Sequence, residues 1–189
     1  MKIHHLFIAL FVIFSSLSSF ALASGQSSPM LNGTVQSGNI TGASGNITGA
    51  SANITGASGN ITGASQSSNL TGTSKPDNLI GTQGDDFIFG GAGFDNITGN
   101  QGNDEIDGGV GGDKLAGGIG DDVIFGGIGN DNISGEDGND DLFGGPGADY
   151  LDGGKGADYF DCGTSADTIA NLNISEGDIS LPNCEKMSR

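Results

Sequence analysis

The sequence predicts an all-β protein in which short strands stack into one continuous column, and three observations lead there. From Gly81 to Asp161 the chain reads as nine consecutive nine-residue units with no insertion, deletion or slip of register. Glycine stands at positions one and four of every unit and aspartate at position six, as Asp86, Asp95, Asp104, Asp113, Asp122, Asp131, Asp140, Asp149 and Asp158. Position eight is always large and apolar, running Ile88, Ile97, Ile106, Leu115, Ile124, Ile133, Leu142, Leu151 and Phe160. The preceding residues 72–80, GTSKPDNLI, keep the frame with Gly72, Asp77 and Leu79, but Lys75 takes the place of the second glycine.

These residue types dictate a local structure. Glycine enters φ > 0 and lets backbone crowd close to a ligand, where a Cβ would be penalised, so positions one to six form a turn. Side chains alternate across a strand, so positions seven to nine send the position-eight residue one way and its two neighbours the other. A three-residue strand cannot bury that side chain alone. Units must therefore pair with neighbours in space and stack around a narrow core. One buried side chain per unit does not offset the entropy of ordering nine backbones rich in glycine, so a bound ligand decides whether the block folds. Without it, the composition suits a disordered acidic run. Carboxylate and carbonyl oxygens, with no His or Cys in the block, suit Ca²⁺ and argue against zinc or copper.

The repeat G-G-x-G-x-D-x-U-x resembles the nonapeptide of the RTX, or haemolysin-type, calcium-binding proteins, and the likeness covers roughly half of the chain. The resemblance implies a right-handed parallel β-roll, in which two units make one full turn and Ca²⁺ lies between the turns of units i and i+2. It also implies that the nine position-six aspartates, with Asp77 of the degenerate unit, supply side-chain oxygen while turn carbonyls supply the rest. Nine units form seven i, i+2 pairs, two fewer than the units themselves.

At the start, MKIHHLFIALFVIFSSLSSFALA has a basic beginning, an apolar stretch from Leu6 to Phe14 and an Ala21-Leu22-Ala23 end, which together read as a signal peptide over residues 1–23. The apolar run is too short for a membrane anchor, so the mature protein has no transmembrane segment. An N-terminal leader departs from the C-terminal export signal most common in the resembling family, which leaves the export route open. Residues 24–74 hold no charge before Lys75, and NITGASG-type heptads begin at Asn39, Asn46, Asn53 and Asn60. One Ile per heptad amid Gly, Ser and Thr makes neither a coiled-coil seam nor a packed core. The expectation is a disordered low-complexity tether ahead of the roll, spanning about 40 Å as a random coil. Asn32, Asn39, Asn46, Asn53, Asn60 and Asn69 are also N-x-T acceptors, so the segment is a sugar-coated stalk in a glycosylating host and a plain polar spacer elsewhere.

The roll is read as residues 75–161 and the remainder, 162–189, as a C-terminal cap that covers the open core and strand edge of the last coil. Thr168, Ile169, Leu172 and Ile174 are the candidates for a final strand. Cys162 and Cys184 are the only cysteines, and in an exported protein an even pair reads as one disulfide. Closing that loop contributes roughly 3 kcal/mol.

Charge and composition limit the function. All 23 acidic residues fall at or after Asp77, which concentrates a formal charge of −17 on the roll and its cap. That excludes nucleic acid as a partner, disfavours anionic membranes and calls for a divalent cation. The only histidines, His4 and His5, lie in the leader, so the mature chain lacks the imidazole on which Ser-His-Asp, Cys-His and H-E-x-x-H chemistry depends. No enzyme is expected. The reading is a secreted or cell-surface calcium-binding protein with a structural or adhesive role. The alternative is an adhesin module that recognises a glycan or a surface through the outer face of the roll. Odd units place Phe87, Phe89, Val123, Phe125, Phe143 and Tyr159 on one outward face, whereas the even units offer only Tyr150. A one-sided apolar stripe of this kind points to self-association or a surface partner there; strand propensity alone is the simpler explanation.

Overall fold

The computed structural model describes residues 33–35, 38–41, 47–49, 52–55, 59–63, 68–184 and 186–188. The expected signal peptide lies outside them. Among the described residues there are nineteen strands and no helix. In chain order these are β1 (Gly33–Val35), β2 (Gly38–Thr41), β3 (Ile47–Gly49), β4 (Ala52–Thr55), β5 (Asn60–Gly63), β6 (Asn69–Thr71), β7 (Asn78–Ile80), β8 (Phe87–Ala92), β9 (Asn96–Gln101) and β10 (Glu105–Val110). They continue as β11 (Lys114–Ile119), β12 (Val123–Ile128), β13 (Asn132–Asp137), β14 (Asp141–Phe143), β15 (Tyr150–Lys155), β16 (Tyr159–Asp161), β17 (Thr168–Ala170), β18 (Ile179–Ser180) and β19 (Lys186–Ser188).

The odd-numbered strands form one ten-stranded sheet and the even-numbered strands a second sheet of nine. Consecutive strands thus lie on opposite sheets, and two nonapeptides complete one coil. Pairing is parallel throughout, with Ile106 beside Ile88 and Ile124, and Leu115 beside Ile97 and Ile133. This is a parallel β-roll. Every position-eight residue from Leu79 to Phe160 is at most 1 % exposed, so the core is a single file of side chains from each sheet. The central strands exceed the three residues expected from the apolar pattern. β8 runs on through Gly90, Gly91 and Ala92, where ladder pairing resumes as Gly91 with Gly109 and Ala92 with Val110.

The expected tether differs from the structure, which places β1 to β6 within residues 24–74. Ile40 pairs with Ile54 and Ile47 with Ile61, coils of fourteen residues; Leu70 pairs with Ile54, and Leu79 with Ile61. Ile61 and Leu70 are fully buried in the same core as the roll. The physical reason is that Asn-Ile-Thr repeats the logic of positions seven to nine: one apolar residue between two outward polar ones. A heptad cannot bury its Ile alone, but stacking on the first coil of the roll supplies the missing neighbour. Asn60, Asn78 and Asn96 stack outward, with Asn78 Nδ2 donating to Asn60 Oδ1 at 3.2 Å and Asn96 Nδ2 to Asn78 Oδ1 at 2.6 Å.

The repeat frame also extends further than expected at the other end. Residues 162–170, CGTSADTIA, form a tenth in-frame unit with Asp167 at position six and Ile169 at position eight, and Tyr150-Leu151-Asp152 pairs with Thr168-Ile169-Ala170. Sequence alone hid it because Cys162 and Ser165 replace the two diagnostic glycines, although Ser165 adopts the glycine-like φ of +108°. The next turn is longer, and it brings Asp178 twenty residues after Asp158 into the same column. Of the four residues named for the final strand, Thr168 and Ile169 lie in β17, Leu172 packs partly against the core and Ile174 is exposed. Cys162 and Cys184 form the expected disulfide.

Candidate metal centre

Each position-six aspartate stands at the end of a turn, immediately before the strand that buries the next core residue. The alternation of the chain lines these aspartates up in two columns, one along each edge of the roll. Within a column, the backbone N–H of each aspartate donates to Oδ1 of the one a coil later: Asp104 to Asp122 at 2.7 Å, Asp113 to Asp131 at 2.7 Å, Asp122 to Asp140 at 2.9 Å. The ladder begins with Asp77 donating to Asp95 and ends with Asp149 donating to Asp167 and Asp158 to Asp178. It holds each carboxylate in one orientation.

The other oxygen is the unusual one. Oδ2 of Asp95, Asp104, Asp113, Asp122, Asp131, Asp140, Asp149, Asp158 and Asp167 is buried and has no hydrogen-bond partner. These residues are no more than 3 % exposed. Leaving a buried carboxylate oxygen without a donor is costly unless a cation takes its place. In every one of these units but that of Asp167, where Cys162 stands, a position-one glycine keeps the space in front of it open. A Cβ on Gly90 would stand 2.6 Å from Asp95 Oδ2 and 2.5 Å from the Gly108 carbonyl oxygen, so a side chain there would fill the gap between carboxylate and next-coil carbonyl.

Burial is the main cause of raised carboxyl pKa values, with neighbouring acids in the column adding to it and the backbone donor opposing it. Asp104, Asp122 and Asp140 are pushed up to about 7, and Asp113 and Asp149 to about 6. Asp86, Asp95, Asp131 and Asp158 also move upward, chiefly from burial. Such groups resist ionising without a counter-charge and ionise readily onto a bound cation. Among the described residues no three His, Cys, Asp or Glu side chains converge on one point, so a cation here must draw much of its shell from turn carbonyls. An all-oxygen donor set of carboxylates and carbonyls fits Ca²⁺.

Two of the ten expected ligands stand apart. Asp77 Oδ2 accepts from Thr73 N–H and Thr73 Oγ1 at 2.7 and 2.8 Å, and Asp86 Oδ2 accepts from Thr82 N–H at 2.5 Å. Their carboxylates are satisfied by protein donors. Sequence reasoning also missed a second, exposed ladder at position five of the odd units. There Asn103 N–H donates to Asp85, Asp121 N–H to Asn103, Asn139 N–H to Asp121 and Ala157 N–H to Asn139, all at 2.8–3.1 Å. The signal was the alternation Asp, Asn, Asp, Asn at that position. Asp167 was missed for the reason given above.

A family model described as the RTX calcium-binding nonapeptide repeat matches four times, over residues 71–106, 80–115, 107–142 and 134–169. No curated protein and no solved structure matches the chain. The matched span covers more than half of the sequence and ends at Ile169, inside the tenth unit. The chain therefore belongs to the RTX calcium-binding nonapeptide repeat family, whose repeats bind Ca²⁺.

Proposed function

We propose that this is an exported protein whose roll is assembled by calcium and serves a structural or adhesive role at the cell surface or in the surrounding matrix. The observation that carries the reading is the row of buried carboxylate oxygens without partners, which leaves the metal-free roll with uncompensated charge in its turns. The ligands are the position-six aspartates together with turn carbonyls. Bound calcium neutralises the columns and ties each coil to the next. Export is supported by the apolar leader sequence and by the Cys162–Cys184 disulfide, which requires an oxidising compartment. No helix among the described residues is long and apolar enough to cross a membrane.

The adhesive part of the reading rests on the nine-stranded sheet. Phe125 and Phe143 stack on its outer face with ring centroids 4.8 Å apart, Tyr159 lies 6.0 Å beyond, and Phe87 is 43 % exposed. This aromatic row is the surface through which a second copy of the roll would dock. Calcium dependence is tested by far-ultraviolet circular dichroism of the purified protein in chelator and in millimolar Ca²⁺. Extracellular calcium modules bind with constants on the order of 10⁻⁴–10⁻³ M, so the β signal should rise in that range. An unchanged spectrum would reject the function.

A further inference from the structure

The two turns whose aspartates are already satisfied differ from the other nine at position four, where Lys75 and Gly84 lack the positive φ found from Gly93 to Ser165, and at position two. That residue has φ between +80° and +124° in every turn that ends in an orphaned carboxylate, from Gly91 before Asp95 to Gly163 before Asp167. Even Asn100 and Glu136, which have side chains, adopt φ of +85° and +80° there. Thr73 and Thr82 occupy the same position ahead of Asp77 and Asp86, and neither has a positive φ. A β-branched side chain is among those most penalised in the left-handed region. With φ negative, the threonine N–H turns onto the carboxylate, and Thr82 Oγ1 adds a 3.1 Å bond to Asp86 Oδ1. Asp178, beyond the last orphan, is closed in the same manner by the N–H of Asn173 at 2.6 Å.

We infer that the backbone conformation at position two, and not the aspartate at position six, decides which turns of this chain take calcium. Thr73 and Thr82 supply hydrogen-bond donors to the carboxylate oxygen that a cation would meet in the other turns. Asp77, Asp86 and Asp178 are hydrogen-bonded stops at the two ends of the calcium array, and the array runs from Asp95 to Asp167. This rests on the calcium reading above and refines its membership. The orphaned aspartates lie five in one column and four in the other, which makes four and three inter-coil pairs, or seven. Counting from Asp86 to Asp158 also makes seven pairs, so the number of ions in the wild type does not separate the two assignments. Variants at the ends do.

The test counts calcium ions bound to the purified full chain by native mass spectrometry at saturating Ca²⁺, with circular dichroism to confirm folding. Asp86→Asn should leave the wild-type count unchanged, and Asp167→Asn should lower it by one. Thr82→Gly frees the turn to adopt positive φ and should add one ion, whereas Thr82→Val, which replaces the hydroxyl with a methyl and keeps the β-branch, should add none. Loss of an ion in Asp86→Asn with none lost in Asp167→Asn would overturn the inference while leaving the calcium function intact. So would an unchanged count in a folded Thr82→Gly. A wild-type protein that takes up no calcium would reject the function itself and this inference with it.

Discussion

Replacing Ile124 with Ala tests whether a core only one side chain wide is coupled to calcium along its whole length. Ile124 is fully buried in the middle of the nine-stranded sheet, between Ile106 and Leu142 of the neighbouring coils. Truncating such a residue costs about 2–5 kcal/mol, and the coils on either side are pinned by their ladders and cannot collapse into the gap. Calcium that binds only the folded roll adds RT ln(1 + [Ca²⁺]/Kd) for each site. With seven linked sites above their dissociation constants, each doubling of calcium adds about 3 kcal/mol. The cavity should therefore raise the calcium concentration at the midpoint of folding only about 1.5- to 3.5-fold and leave the steepness of the titration unchanged. Circular dichroism against free calcium measures both quantities. A shift of tenfold or more would mean that few ions are linked to folding, and no shift would mean that calcium does not drive folding.

Other expectations follow from the columns and the outer face. Asp122→Ala or Asp131→Ala should raise the calcium midpoint and flatten the titration, because each central aspartate has a neighbour on both sides, whereas Asp77→Ala should leave the slope intact; equal slopes would deny sharing between coils. In chelator, the raised carboxyl pKa values mean that the folded roll binds protons more tightly than the unfolded chain. Their stabilising contribution is fully present below about pH 4 and is lost as pH rises through 6 to 7, where Asp113, Asp149, Asp104, Asp122 and Asp140 ionise. Metal-free protein should thus gain β signal between pH 8 and pH 5, while calcium affinity falls over the same interval; a metal-free spectrum independent of pH would contradict the burial of these groups. Replacing Phe89, Phe125 and Phe143 with Ser should abolish calcium-dependent dimers in sedimentation without removing the calcium-induced β signal. A wild-type roll that stays monomeric at all concentrations would refute docking through that face.

Much of the architecture is written in the period of the chain. Because position eight is apolar in every unit while its neighbours are free to vary, an alternating strand can bury only that residue, and a nine-residue spacing then dictates stacking. The aspartate columns follow from the same register, and the all-oxygen donor set from composition. Tertiary contacts decided the rest. Asn-Ile-Thr heptads look too poor in apolar residues to order, and only the presence of a neighbouring coil makes burial of Ile61 and Leu70 available to them. The tenth unit keeps its conformation without the glycines of positions one and four, because Ser165 is held at φ +108° within the stack. Which carboxylates are left needing a cation was not legible at all in the aspartates, since Asp86 and Asp95 occupy identical places in the repeat. That difference goes with the backbone of the preceding turn, where Thr82 and Gly84 lack the positive φ of Gly91 and Gly93 and the Thr82 N–H turns onto the Asp86 carboxylate.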